Sequence, residues 1–148
     1  MSEFKSNYKI IKEHNIVLEY HSGPIDAGSF INFKHNLSLH PDFKSDLKYF
    51  VHLQDVTFDI TKNDIHRYVD FLTTNNSIFG KRQVALITQT PNQVVNTTLF
   101  KFTEQMKNQA IEIFSTNETA FDWLNIKNVH FNEFQMLFEP LKPATVLV

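Results

Sequence analysis

The sequence predicts an α/β fold: a mixed, mostly parallel five-stranded sheet in the order β-β-α-β-α-β-α-β-α, followed by a C-terminal amphipathic helix and tail. Three observations predict it. Short apolar runs alternate with longer stretches whose apolar residues fall on one helical face. Capping residues stand at the start of those stretches. One run, Val84-Ala85-Leu86-Ile87, is apolar throughout, the pattern of a central parallel strand covered on both faces. Parallel neighbours need a crossover, and a helix supplies it.

Taken in order, Tyr8 to Lys12 and Ile16 to Tyr20 read as two strands joined at His14-Asn15, the second alternating Ile16, Leu18, Tyr20 against Val17, Glu19, His21. Gly23-Pro24 stops it. Asp26 then caps a helix to about Leu39 with Phe30, Phe33 and Leu37 on one face, ended by Pro41, whose ring disfavours helical dihedrals at His40. Tyr49 to Leu53 is the third strand. Thr61 and Asp64 form a capping-box variant before a helix with Ile65, Tyr68, Val69 and Leu72 on one face, ending near Gly80. After the Val84–Ile87 strand, Thr90-Pro91 caps a helix whose inward stripe reads Val95, Leu99, Phe102 and Met106. Ala110 to Phe114 is the last strand, and Asn117 opens a short helix with Ala120, Phe121 and Leu124 inward.

Beyond Ile126 the texture changes. Phe131, Phe134, Leu137 and Phe138 make a two-turn amphipathic helix before Pro140, and Val146-Leu147-Val148 is an apolar end. So many aromatic side chains must cover something, either the sheet of their own chain or the surface of a partner, a second copy included.

Composition narrows the function. The chain has 148 residues, 42% of them hydrophobic, which suffices for one core and excludes wholesale disorder. The absence of cysteine excludes disulfides, thiol nucleophiles and thiolate metal sites. A formal charge of -2, with only two arginines, argues against nucleic acid. The first eight residues hold no apolar run that could act as a signal-peptide core, and no stretch approaches the roughly 20 residues of a membrane span; the expectation is a cytoplasmic protein.

The stretch from Phe50 to Phe58, FVHLQDVTF, running into a capped helix, resembles the third strand and following loop of STAS domains, the anti-sigma-factor antagonists and the broader SpoIIAA-like group. AIEIFST from Ala110 and ETAFDWL from Glu118 are similar to the end of that group, and the likeness spans roughly Tyr8 to Leu124. The resemblance implies a SpoIIAA-like domain over residues 1–126, with an aromatic helix and extended tail over 127–148. It implies helices mostly on one face of the sheet, leaving the other face for the tail helix. It also implies a departure: where signalling antagonists carry a phosphorylated Asp-Ser-Ser-Gly-like turn, this chain has Asp59-Ile60-Thr61-Lys62-Asn63, so a phospho-switch is not expected.

No enzyme chemistry is expected. Seven histidines invite a metal, but His35 and His40 are five apart and do not share a helical face, and no His-Glu-x-x-His occurs. His21 and His52, in or at strands, are the ones to check. Ser22 follows His21, which faces the other side of its strand and is badly placed to activate it. No cofactor is expected. Asp55 and Thr57 at the carboxyl end of a strand, and the helix starts Thr61, Thr90 and Asn117, are candidates for binding a ligand or partner, because open parallel sheets bind beyond the carboxyl ends of their strands. Two readings follow: a non-enzymatic STAS-like protein-interaction domain using that rim and the Phe131 to Phe138 tail, or a carrier of a small molecule or lipid in an apolar pocket between sheet and helices.

Overall fold

The computed structural model describes residues 3–103, 106 and 109–144. Five strands lie side by side in chain order: β1 (Lys5–Ile11), β2 (Ile16–Pro24), β3 (Lys48–Thr57), β4 (Gln83–Ile87) and β5 (Ala110–Phe114). β1 is antiparallel to β2 and every other pair is parallel. The hairpin turns through one 3-10 turn and Asn15, whose φ of 54° places it in the left-handed region that asparagine tolerates.

Because side chains alternate across a strand, the sheet has two apolar faces. Val17, Tyr49, Val51, Val84 and Ile111 face one layer made by α1 (Ala27–Ser38), α2 (Lys62–Thr74), the single turn α3 (Asn76–Phe79) and α4 (Pro91–Lys101). Ile16, Leu18, Phe50, Ala85 and Ile87 face the other, made by α5 (Asn117–Leu124) and α6 (Phe131–Phe138). The expected α/β architecture is present, with the larger helical layer on one face.

The aromatic tail helix covers its own sheet. Phe134 and Phe138 are fully buried, with ring centroids 4.9 and 5.2 Å from that of Phe50. Phe131 and Leu137 pack at the margin of the same cluster, and Met136 points away. The side chains offered above as a dimerising surface are thus committed to the core of their own chain. Val146-Leu147-Val148 lies outside the described residues.

Two local expectations need correction. The helix expected to run to Gly80 breaks at Asn75 into α2 and α3, and Gly80 then takes a φ of 56° that favours glycine. Asn117 opens α5 as expected, behind Thr116, whose Oγ1 accepts from the Thr119 N–H at 3.2 Å as the cap. The largest difference is α4, where Val95, Leu99 and Phe102 point outward and Gln93 and Thr97 point in. Gln93 is anchored by four bonds: its Oε1 accepts from the Gln89 and Thr90 N–H groups, and its Nε2 donates to Gln54 O and Val56 O. Those partners outweigh the apolar stripe in deciding which way the helix turns.

His52 sits in the second core between the rings of Tyr20 and Phe138, 5.5 and 5.2 Å away, and its Nδ1 has no hydrogen-bond partner among the described residues. Burial first, and the Lys142 ammonium second, push its pKa from 6.5 down to about 4. Between those values the folded chain binds fewer protons than the unfolded one, so stability falls as pH drops through that window. Denaturant unfolding at pH 7 and pH 5 should show a smaller stability difference for His52→Leu than for the native chain. Part of the difference will persist through His21, which is shifted in the same direction. An unchanged difference would remove His52 as a source.

Candidate functional site

β2 is covered on both faces, so its Glu19 and His21 are buried completely beneath α1. Isolated burial of a carboxylate is prohibitive, and α1 supplies the partner. Lys34 falls on the inward stripe of α1, four residues after Phe30 and three before Leu37, and its Nζ pairs with Glu19 Oε2. The other carboxylate oxygen, Oε1, lies 2.9 Å from His21 Nε2, and Ser6 Oγ lies 2.7 Å from His21 Nδ1. Burial raises the Glu19 carboxyl, but the Lys34 ammonium and the His21 hydrogen bond outweigh it and hold the pKa at about 2. Burial keeps His21 neutral, so Nε2–H donates to Glu19 and Nδ1 accepts from the Ser6 hydroxyl.

Ser6, His21 and Glu19 therefore stand in the order of a nucleophile, a base and an orienting carboxylate. Phe4 stacks on the His21 ring at 5.8 Å, and Phe30 and Phe33 close on it at 5.0 and 4.9 Å. Glu19 also pairs with Lys34, and the nearest helix start, at α1, uses its free N–H groups on Asp26. The arrangement satisfies buried polar groups at His21 and Glu19, while Ser6 itself is exposed.

The polar chain continues inward. Lys34 Nζ lies 4.6 Å from the centroid of the Tyr49 ring, and the Arg82 guanidinium carbon lies 4.8 Å from the same centroid. Burial, assisted by the charge of Arg82, pulls Lys34 down to about 8 against the attraction of Glu19, and burial pushes Tyr49 up to about 12 and Tyr68 further. Beside these groups lies a cavity of about 80 Å3 between the sheet and α1, α2 and α4. Its walls include Val51 and Leu53 of β3, Val84 and Leu86 of β4, and Ile65 and Phe100 of the helices; Lys34, Tyr68, Arg82, Asn96 and Thr97 are its polar lining. Among the described residues no three His, Asp or Glu converge on a point that could hold a metal, and no helix is long and apolar enough to cross a membrane.

No family model matches this sequence, and no curated protein matches it. A solved structure does match in shape: an uncharacterised protein of the DUF3478 family with a SpoIIAA-like fold, from Shewanella loihica. It is 14% identical, with a TM-score of 0.55 over 84% of this chain and 97% of that one. The chain has a SpoIIAA-like fold.

In this SpoIIAA-like domain the expected binding residues do lie at the carboxyl edge of the sheet, each already engaged or exposed. A bulge in the β2–β3 pairing, between Tyr20/His52 and Ser22/Asp55, turns Asp55 toward the second face, where its Oδ2 accepts from the Tyr20 hydroxyl at 2.5 Å. That bond and burial raise Tyr20 to about 12. Thr57 ends β3 in solvent. Thr61 and Thr90 cap α2 and α4 through capping boxes, and Asn117 Nδ2 donates to Gln135 Oε1, joining α5 to α6. Side-chain amides knit the edge: Gln54 Nε2 donates to Thr88 O and Ser115 O, and Asn92 bonds both main-chain groups of Phe58. None of the five lines the cavity.

Glu19, Lys34, Tyr49 and Arg82 were not expected as site residues. The one available signal was position: Lys34 on an otherwise aromatic stripe, and Arg82 two residues before Val84 on the same side of its strand.

Breaking the buried pair tests its weight. Glu19→Gln and Lys34→Met should each cost roughly 3–5 kcal/mol, because each strands the opposite charge. The double variant should cost less than the sum by about 1 kcal/mol or more in denaturant unfolding. Additive losses would mean the two side chains act independently.

Proposed function

We propose that this SpoIIAA-like domain is a non-catalytic binding module that holds a small, largely apolar molecule between its sheet and the α1, α2 and α4 layer. The observation that carries the reading is the cavity itself. Protein interiors pack to crystal density, and voids larger than a water are few. A space of about 80 Å3 exceeds the roughly 10–15 Å3 that one water needs, and most of its lining residues are apolar. Its size favours a compact occupant over a long acyl chain, since roughly 150 Å3 is known to hold benzene. The sealed histidine, boxed by three rings, supports binding rather than turnover.

Thermal unfolding with a panel of small hydrocarbon-bearing molecules tests this. An occupant at 100 times its dissociation constant adds about 2.7 kcal/mol to stability. Val84→Phe, which fills the space, should abolish the shift while leaving a cooperative transition. No shift from any member of the panel would overturn the reading.

A second reading, a protein-interaction domain, is favoured by α4. Val95, Leu99 and Phe102 are 57%, 45% and 72% exposed and form one outward apolar stripe beside Lys62 and His66 of α2. Under this reading a second copy of the chain covers the stripe, with Asp55, Thr57 and Thr61 exposed at the rim. The native chain should then sediment as a dimer and Leu99→Asp/Phe102→Asp as a monomer of similar stability. A monomeric native chain would remove self-association through α4.

A further inference from the structure

Among the described residues, the interior around Tyr49 holds more positive charge than negative. Glu19 carries one negative charge, Lys34 and Arg82 one positive charge each, and His21 none. Arg82 is only 5% exposed. Among the described residues its guanidinium enters no ion pair; the Tyr68 hydroxyl lies against it, and its main-chain N–H reaches Gln109 Oε1 at 2.7 Å. The Tyr49 hydroxyl is buried beside it. A guanidinium has five N–H donors in a planar fork, more than one or two tyrosine hydroxyls satisfy.

We infer that the occupant of the cavity is a small monocarboxylate, its carboxylate received by Arg82 with Lys34 alongside and its hydrocarbon part held by Val51, Leu53, Val84 and Leu86. This rests on the binding reading above and adds the charge of the ligand. A carboxylate matches the guanidinium fork with two parallel bonds, and a single negative charge cancels the single excess positive one. The apolar walls exclude a second charged group, which sets aside dicarboxylates and phosphomonoesters. The size, about half of what holds benzene, points to short-chain acids of two or three carbons. Arg82 also borders a more polar hollow of about 250 Å3 beneath α2 and α3, but Lys34 does not, so dependence on both cations identifies the sheet–helix cavity as the site.

Calorimetric titration and thermal unfolding of the full chain with acetate and propionate, against acetamide and propionamide, give the test. The acids should bind at least tenfold more tightly than their amides. Arg82→Met should erase that preference, and Arg82→Lys should restore only part of it, because the charge returns without the fork. Lys34→Met should weaken the acids as well. Acids and amides binding alike to the native chain would overturn the charge assignment and leave the cavity reading intact. Binding of neither would sink both. Inorganic phosphate stabilising the chain as strongly as propionate would overturn the monocarboxylate assignment in favour of a general anion site. The comparison on the native chain decides the question even if Arg82→Met does not fold.

Discussion

The ion pair between Glu19 and Lys34 is the constraint around which the larger layer is organised. It ties the first helix to the second strand at a depth where neither charge could exist alone, and it dictates the state of every polar group nearby. His21 must stay neutral and present its N–H to the free carboxylate oxygen. Ser6 must then face the remaining ring nitrogen. Such a pair is a poor source of stability, since well-packed hydrocarbon often does as well. Its value lies in geometry, because it holds a lysine against the wall of a cavity, with the Tyr49 ring in contact range of both that lysine and Arg82.

The two faces of the sheet are therefore unlike. The face under α5 and α6 is closed with aromatic rings at ordinary packing distances, His52 being its one imperfectly satisfied member. The face under α1, α2 and α4 is looser and contains charge and empty space. The rim at the carboxyl edge, where open parallel sheets so often bind, is occupied by amide side chains bridging one strand end to the next.

What was legible in the chain was whatever local chemistry decides. Val84 to Ile87 could only be an interior strand. Asp26, Thr61 and Thr90 announced three helix starts, and the stripe from Ile65 to Leu72 faces the core as its spacing requires. The family likeness drawn from strand and helix fragments agrees with the shape of the solved structure. What escaped was decided by partners distant in sequence. α4 shows its apolar side to water because Gln93 finds Gln54 and Val56, nearly forty residues earlier. The charged cluster joins β2, α1 and the start of β4, and no window of residues contains all three.

The order of the elements along the chain also has a bearing on biosynthesis. The first face of the sheet gains its helices one at a time as each strand is added, whereas the second is covered only by α5, α6 and the turn that follows, all C-terminal to β5. During translation, the row from Ile16 to Ile87 on that side stays uncovered until the ribosome has released residues beyond Leu141. A nascent chain paused at β5 would present that bare hydrocarbon surface to chaperones.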